Sequence, residues 1–253
     1  VTQHIRDVSY LKYPFLCINY DSFKSISDTL KEYSIDYAIN MIGLTSVEEC
    51  ESEPDKAYLL NSFLPGIIAK ACSLANTKLI HISTDHFFYD ENKKHKESDN
   101  VSLVNIYAKS KYEGEIEVLS NMSSALVCRT NFFGYGPPHK LSFSDWIIHS
   151  SINKKEITLF NDVFISPISA RNLAIYSHQL LDLNSEGIYN VCSDDSITKY
   201  EFAIKLCKSL GMKCENIKSG SISDRKDLVK RPKSMSLSNL KISNKLKNKI
   251  GNI

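Results

Sequence analysis

Residues 78–85 read Lys78-Leu79-Ile80-His81-Ile82-Ser83-Thr84-Asp85, a short apolar run that ends in three small polar side chains. The run has the length and composition of a buried β-strand. A helix-like stretch precedes it at residues 54–75, opened by a proline in its first turn, and another follows at residues 105–119. A strand between two helices is the repeating unit of a parallel sheet.

The same alternation extends in both directions from this stretch. The sequence predicts further strands at residues 15–18, 36–40, 124–129 and 187–191, with helices at 22–34 and 145–153. It therefore predicts an α/β fold with a Rossmann-like parallel sheet, helices on both faces and a smaller C-terminal substrate lobe. The expected division places residues 1–136 in a cofactor domain, with 162–192 returning to it, and 137–161 with 193–253 in the substrate-binding lobe.

Composition argues against several classes of protein. The 253 residues carry a net charge of +2, with 42% hydrophobic and 24% charged side chains, as in an ordinary globular protein. No nucleic-acid partner is expected, because such proteins carry a clear basic excess. No apolar run approaches the ~20 residues of a membrane span. The seven cysteines contain no CxxC pair, so we expect reduced thiols and a cytoplasmic location. No metal site is expected, because the seven histidines are scattered and form no cluster with the cysteines.

Tyr107 and Lys111 form a candidate catalytic pair. They are four residues apart on a predicted helix, so both side chains project from one face. A phenol has a pKa of about 10, and a neighbouring ammonium lowers that value, which allows a tyrosine to exchange protons near neutral pH. The pair alone is a weak signal, because a chain with 13 tyrosines readily matches YxxxK by chance.

Polar segments follow the predicted strands. Ligands of a parallel sheet bind at the carboxyl ends of its strands, here residues 40–45, 83–86 and 129–136. Thr84 is therefore placed to donate a hydrogen bond to a substrate carbonyl. The same residue type also suits a helix or turn cap, so the triplet at 83–85 does not decide the function by itself.

Taken in order, these motifs resemble one family. Ile82-Ser83-Thr84-Asp85, then residues 105–111 with Gly114-Glu115, then Arg129-Thr130, resemble the S-T-D, N-x-Y-G-K-[ST]-K with G-E, and R-T motifs of the dTDP-4-dehydrorhamnose reductase branch of the extended short-chain dehydrogenases. Further matches to that pattern are Asn40, Thr45, Val47, Glu48, Glu51 and Asn61 upstream, and Asp162, Pro167, Arg231, Pro232 and Leu237 downstream. The resemblance covers nearly the whole chain.

The resemblance implies NAD(P)H-dependent reduction of a nucleotide-linked 4-keto sugar, as in dTDP-rhamnose and polysaccharide biosynthesis, with NADP or NAD as cofactor. It implies that Tyr107 donates the proton, that Lys111 lowers the pKa of Tyr107 and holds the nicotinamide ribose, and that Thr84 polarises the carbonyl. The implied cofactor-binding residues are Asn19, Asn40, Met41, Ile42, Gly43, Asn61, Ser83, Tyr107, Lys111, Arg129 and Thr130. The implied substrate-binding residues are Thr84, Asp85, His86, Asn131 and Arg231, the last as a clamp for a diphosphate.

The chain departs from the family pattern in three places. It contains no G-x-x-G-x-x-G, the segment that in the family approaches the cofactor's pyrophosphate at the first helix. We therefore expect the first β–α unit to be missing, through truncation or loss, with weakened cofactor binding if it was lost. Asn19 stands where the family has an adenine-side aspartate, and Met41-Ile42 where it has two alanines. His4 and Arg6 favour NADP by charge.

Two alternatives remain open on these residues. One is a sugar-nucleotide epimerase or dehydratase with the same tyrosine and lysine. The other is a non-catalytic nucleotide-binding or regulatory subunit of the same fold, as in the β subunit of methionine adenosyltransferase. The missing phosphate loop favours the subunit, whereas the retained Thr84, Tyr107 and Lys111 favour an enzyme. We expect a nucleotide-sugar substrate and no membrane partner, with a homodimer as an open alternative to a monomer.

Overall fold

A computed structural model describes residues 22–88, 93–136 and 141–253, together with the backbone of Thr2–Gln3 and Phe15–Leu16. The predictions for His4, Arg6 and Asn19 lie outside the described residues.

The elements alternate as the sequence predicts. The strands are β1 Thr2–Gln3, β2 Phe15–Leu16, β3 Tyr37–Asn40, β4 Lys78–Ile82, β5 Leu126–Arg129, β6 Phe132–Phe133, β7 Ile157–Phe160, β8 Phe164–Ile165, β9 Ile168–Ser169, β10 Gly187–Asn190, β11 Ile197–Thr198, β12 Ile217–Gly220 and β13 Ser234–Met235. The helices are α1 Phe23–Glu32, α2 Val47–Ser52, α3 Pro54–Tyr58, α4 Leu64–Ala75, α5 Ile106–Asn121, α6 Phe143–Ile152, α7 Ala170–Asp182, α8 Lys199–Ser209 and α9 Leu240–Leu246.

The central sheet is parallel, with the strand order β10-β5-β4-β3. Successive side chains of β4 and β5 point to opposite faces. Leu79 and Val127 pack under α1, α4 and α5, whereas Ile80 and Leu126 pack under α7 and α9. Because both faces are buried, these strands are continuous apolar runs rather than alternating ones. This parallel sheet with helices on both faces is the α/β fold that the sequence predicts.

The predicted helix at 54–75 forms with one irregularity in its middle. A π-helical turn at Leu59–Phe63 joins α3 to α4. The backbone of this turn lies against α5, where a Cβ added to Gly114 would be 2.0 Å from the Asn61 carbonyl oxygen. Only a glycine allows α5 to approach so closely. Single π turns are frequent at functional sites, and this one lies beside the cavity described below.

The stretch Pro54–Ala75 also has the length and composition of a membrane-spanning helix, contrary to the expectation that no apolar run approaches that length. Half of its most apolar window is buried. Ile68 and Cys72 of this stretch pack in the same cluster as Ile26 of α1 and Val118 of α5. Such burial is typical of the core helix of a globular domain.

The C-terminal lobe is built from short strands and the helices α6 and α8. β7 pairs in parallel with β12, and Ile147, Leu159 and Phe202 pack the two helices on this pair. β8 lies between β11 and β13, so this part of the segment 162–192 pairs with lobe strands. The helix α7 and the strand β10 belong with the central sheet, and α9 packs there as well. We therefore propose a domain boundary close to the start of α7.

Candidate active site

A cavity of about 310 Å³ opens at the carboxyl ends of β3, β4 and β5. This is the edge at which ligands of a parallel sheet bind. The predicted site residues that line the cavity are Met41, Ile42, Gly43, Ser83, Thr84, Asp85, His86, Tyr107, Lys111, Thr130, Asn131 and Arg231. The fold therefore brings together, around one space, residues that are almost 200 positions apart in the sequence.

The first turn of α5 presents Tyr107 to the cavity. Asn105 caps this helix, because its Oδ1 accepts a hydrogen bond from the Ala108 backbone N–H at 2.8 Å. Asn105 Nδ2 donates to the Lys230 carbonyl at 2.8 Å and to His86 Nε2 at 3.1 Å. The His86 ring packs edge-on against the Tyr107 ring, with centroids 5.3 Å apart. Asn105 thus caps the N-terminus of α5 and connects this helix to the C-terminal lobe.

Tyr107 is held as a neutral phenol. Burial raises the pKa of Tyr107 well above its usual range, a hydrogen bond with the Thr84 side chain lowers it in part, and the nearby Asp85 raises it again. The sequence predicts that Lys111 lowers this pKa, but Lys111 is not among the groups that shift it here, and its ammonium donates to the Ile82 carbonyl at 2.9 Å. A protonated phenol is the state that a proton donor needs.

Lys111 lies one helical turn beyond Tyr107 and is buried. Burial lowers the pKa of Lys111 to about 8, and the neighbouring Glu115 opposes that shift. An ammonium has three N–H donors, so the bond to the Ile82 carbonyl leaves donors for a ligand. A Cβ added to Gly43 would lie 3.9 Å from Lys111 Nζ, which shows how near the glycine backbone is to the ammonium.

A buried ion pair supports the floor of the cavity. Arg129 donates to Glu115 through Nε at 3.0 Å and Nη2 at 2.7 Å, and both side chains are 2% exposed. Glu115 Oε1 also accepts a hydrogen bond from the Ser83 hydroxyl at 2.6 Å. The sequence predicts that Arg129 binds cofactor, whereas the structure places it outside the cavity lining. Its contacts hold Ser83, and with it the backbone that carries Thr84.

Asn40 and Asn61 also lie outside the cavity lining, although the sequence predicts cofactor contacts for both. Asn40 Oδ1 accepts from the Ile42 N–H at 3.1 Å. Asn61 Oδ1 accepts from the Leu44 N–H at 2.7 Å, and its Nδ2 donates to the Leu44 carbonyl at 3.0 Å. Both amides therefore fix the loop after β3, which carries Gly43.

Two further groups set the charge of the cavity. Asp85 Oδ2 accepts a hydrogen bond from Asn131 Nδ2 at 2.8 Å. Burial raises the pKa of Asp85 to about 6, against the opposing effects of that hydrogen bond and of Lys199. Burial lowers the pKa of His86 to about 3, with Lys199 and Arg231 adding to the shift. The imidazole is therefore neutral at physiological pH.

The described residues also fit a nicotinamide cofactor at this edge. Lys111 has free donors beside the Gly43 backbone, which suits a ribose hydroxyl. The Thr130 hydroxyl is buried and has no hydrogen-bond partner among the described residues, although it lines the cavity. Buried polar groups are normally bonded, so an unbonded hydroxyl at a cavity wall indicates a ligand partner.

Four residues that line the cavity have no site role predicted from the sequence, namely Val47, Ile82, Lys199 and Met235, whereas Thr45 and Phe132 belong to the predicted ligand-binding segments 40–45 and 129–136. For Lys199 a signal was available. Thr198 and Glu201 form a capping box, which is readable from the sequence as a helix start. A lysine in the first turn of a helix opposes the helix dipole, and this feature distinguishes Lys199 in the sequence.

Comparison with known proteins identifies the family. Residues 6–252 match the family described as the RmlD substrate binding domain. The chain belongs to the RmlD family. The probable low-salt glycan biosynthesis reductase Agl14 of Haloferax volcanii is 30% identical over 213 residues, which cover 82% of this chain and 71% of that protein. The dTDP-4-dehydrorhamnose reductase of Salmonella typhimurium is 27% identical over 193 residues, 74% of this chain and 64% of that protein.

The RmlD fold is also found in solved structures. The crystal structure of dTDP-4-dehydrorhamnose reductase from Bacillus anthracis in complex with NADP superposes with a TM-score of 0.83 at 24% identity, covering 95% of this chain and 86% of that chain. Membership of the RmlD family confirms the predicted resemblance to the extended short-chain dehydrogenases, which are NAD(P)-dependent oxidoreductases, and the predicted α/β fold. The chain spans about two thirds of the length of the curated relatives it matches.

Proposed function

We propose that this RmlD-family chain reduces a nucleotide-linked 4-keto sugar with NADPH or NADH. The observation that carries the proposal is the arrangement of Thr84, Tyr107 and Lys111 around one cavity at the carboxyl edge of a parallel sheet. The names of the two curated relatives support it, since one is a probable glycan biosynthesis reductase and the other reduces dTDP-4-dehydrorhamnose. Because the chain spans only part of each relative, the activity of the whole protein belongs to the proposal.

Tyr107 is the proton donor in this proposal. Its O–H bond breaks as a new O–H bond forms on the carbonyl oxygen of the sugar. Thr84, whose side chain acts on the pKa of Tyr107, holds the same oxygen. Loss of the proton leaves a phenolate, which the Thr84 side chain stabilises in part. The cofactor supplies the hydride, which no protein side chain can provide.

NADP or NAD is the proposed cofactor, as the Bacillus anthracis relative binds NADP. The loop Met41, Ile42 and Gly43 would line the nicotinamide end, with Lys111 and Thr130 as hydrogen-bonding partners. Asn40, Asn61 and Arg129 act in this proposal by positioning that loop and the strand ends. Asn19, expected at the adenine, lies outside the described residues.

The proposed sugar-binding side of the cavity contains Asp85, His86, Asn131 and Arg231. Asp85 and Asn131 form one hydrogen-bonded pair, and His86 is bonded to the helix cap Asn105. These groups present both donors and acceptors to hydroxyl groups of a sugar.

Turnover with labelled cofactor tests the proposal. The purified protein is incubated with dTDP-4-dehydrorhamnose and NADPH that carries deuterium at C4 of the nicotinamide. We expect one oxidised cofactor for each sugar reduced, with the deuterium bonded to C4 of the sugar. Interconversion of sugars without net cofactor consumption would support the epimerase alternative instead. Binding of nucleotide with no chemistry on the sugar would support the regulatory subunit.

We also propose an oligomeric state and a cellular location for the protein. Leu59, Phe63 and Ile116 are large apolar side chains that are exposed on elements packed against one another. Such a surface suits a second copy of the chain, so we propose a homodimer, to be checked by sedimentation. Five of the cysteines in the described residues are buried and unpaired, in agreement with the proposed cytoplasmic location.

A further inference from the structure

His81 is a buried polar residue near the carboxyl end of β4. Leu79 of the same strand packs under α1, α4 and α5, and side chains two positions apart on a strand share a face, so His81 points to these helices as well. The strand register places His81 directly beside Asn40, the last residue of β3. His81 lies outside the cavity lining, so it can act on a bound ligand only through another residue.

The hydrogen bonds around Asn40 fix the position of the proton on the His81 ring. The Ile42 backbone N–H can only donate, so the amide atom that it faces at 3.1 Å is Asn40 Oδ1. The other end of this amide, Nδ2, lies 3.1 Å from His81 Nδ1. An amide nitrogen donates and does not accept, so Nδ1 of the ring must hold a lone pair and Nε2 must hold the proton.

Only the neutral imidazole can hold Asn40 in this way. A protonated ring carries a hydrogen on both nitrogens and offers no lone pair to Asn40 Nδ2. His81 is 0% exposed. Burial lowers the pKa of His81 well below its usual range, and the charge of Lys111 adds to the shift. The ring is therefore an acceptor for Asn40 at physiological pH.

The second nitrogen of the ring shows that packing alone does not explain an imidazole at this position. His81 Nε2 is buried and has no hydrogen-bond partner among the described residues. An unbonded buried donor is unfavourable, and an apolar side chain in its place would carry no such donor. Within the part of the chain that the structure describes, the bond to Asn40 is the contact of this side chain that requires a nitrogen.

The Asn40 amide in turn holds the loop after β3. Met41, Ile42 and Gly43 of this loop line the cavity, and they are the residues proposed to lie at the nicotinamide end of the cofactor. Asn40 Oδ1 accepts from the Ile42 N–H only while the amide keeps its present orientation. The bond from Nδ2 to His81 fixes that orientation, so the position of the loop depends on the histidine.

We propose that His81 is a positioning residue for the nicotinamide cofactor, which acts by orienting the Asn40 amide that holds the loop after β3. This inference rests on the proposed function and adds a residue that touches neither cofactor nor substrate. A loop already held in its binding conformation loses less conformational freedom when the ligand binds. Loss of the bond should therefore weaken cofactor binding, while the sugar-binding side of the cavity keeps its affinity.

Two variants of nearly equal shape test the inference. In His81→Leu the atom that replaces Nδ1 is a methyl carbon, whereas in His81→Asn a carbonyl oxygen can take that place and accept from Asn40. Calorimetry should show the affinity of His81→Leu for NADPH falling by about 3- to 10-fold, the size expected of one hydrogen bond. His81→Asn should recover most of this affinity. Both variants should bind dTDP as the natural protein does.

Two further measurements separate positioning through Asn40 from a general loss of packing. The Ile42 amide, which is bonded to Asn40 Oδ1, should exchange its hydrogen faster in His81→Leu than in His81→Asn, with no cofactor present. The double variant His81→Leu with Asn40→Ala should bind NADPH no more weakly than Asn40→Ala alone, because the histidine acts through the asparagine. Losses that add in the double variant would overturn the inference.

Thr77→Val is the matched control. Thr77 directly precedes β4 at its opposite end, is buried and donates through Oγ1 to the Ile35 carbonyl at 2.9 Å. The variant removes a hydrogen bond between the segments that lead into β4 and β3, away from the cavity lining. It should lower the temperature of thermal unfolding and leave the affinity for NADPH unchanged.

The remaining outcomes distinguish this inference from the proposed function. Natural NADPH affinity in His81→Leu, or equal losses in His81→Leu and His81→Asn, would overturn the inference even if the protein reduces the sugar. An equal loss of NADPH affinity in Thr77→Val, or failure of the natural protein to bind NADPH, would also overturn it. Faster Ile42 exchange and weaker NADPH binding in His81→Leu, in a protein that never reduces the sugar, would support the positioning role and reject the reductase.

Discussion

The buried ion pair between Arg129 and Glu115 gives the sharpest prediction about stability. Glu115→Gln removes the charge and keeps the shape. Arg129 would then remain as a buried cation at 2% exposure, with its Nε and Nη2 donors facing a neutral amide. Breaking a buried pair from one side costs about 3–5 kcal/mol, because the remaining charge is uncompensated. The Ser83 hydroxyl also loses its charged acceptor.

Urea unfolding, followed by circular dichroism, measures the effect as the free energy of unfolding. For a chain of this size each kcal/mol lowers Tm by roughly 2–4 °C, so we expect a fall of about 6–20 °C. The double variant Glu115→Gln with Arg129→Met should recover most of the loss, since no buried charge remains.

An exposed pair of equal length is the control. Arg225 Nη2 lies 2.7 Å from Asp227 Oδ2, the same separation as in the buried pair, but the two side chains are 47% and 63% exposed. Asp227→Asn should leave the free energy of unfolding close to that of the natural protein, because water screens the interaction. If Glu115→Gln costs less than about 1 kcal/mol, burial is not what makes the Arg129 pair important and the reasoning is refuted.

Two further predictions concern α5. Gly114→Ala should destabilise the protein by at least about 1 kcal/mol in urea unfolding, because its Cβ would meet the Asn61 carbonyl oxygen at 2.0 Å. Gly66→Ala is the control: its Cβ would lie 3.1 Å from Cβ and Oε2 of Glu117 and 3.5 Å from Asn121 Nδ2, all much longer than the contact at Gly114, so equal losses in both variants would contradict the packing argument. Lys111 has a pKa of about 8, so it loses its charge as pH rises through that value. NADPH affinity should therefore weaken between about pH 7 and pH 9, and a Lys111→Met variant that shows the same pH dependence would rule out this cause.

Local sequence was sufficient to predict the central sheet. The run from Lys78 to Ile82 is apolar throughout because helices cover both faces of β4, and the polar triplet after it marks the carboxyl edge. The four-residue spacing of Tyr107 and Lys111 is a local property of one helix. The convergence of these residues on one cavity follows from the parallel topology.

Long-range contacts explain what the sequence did not predict. The π turn at Asn61 depends on a glycine of α5 more than 50 residues later. The role of Arg129 depends on Glu115, which belongs to another element and captures its guanidinium beneath the cavity. The raised pKa of Tyr107 results from burial, which cannot be deduced from the spacing of residues in the sequence. Secondary-structure propensity and hydrophobic periodicity describe single helices and strands. Contacts between residues of different elements are therefore visible only in the folded structure.

Tyr107 remains the group on which the proposed chemistry depends. Tyr107→Phe removes the proton that the carbonyl oxygen would receive and keeps the aromatic ring beside His86. Tyr112→Phe, on the same helix with its ring packed on Phe87 at 5.6 Å, is the matched control. Both variants should bind NADPH and dTDP as the natural protein does.

Single-turnover reduction of dTDP-4-dehydrorhamnose by these two variants is the most direct measurement. The rate for Tyr107→Phe should fall by about 100-fold or more, the contribution of a positioned proton donor, while Tyr112→Phe stays close to the natural rate. Reduction by Tyr107→Phe at the natural rate would contradict the assignment of Tyr107 as the proton donor.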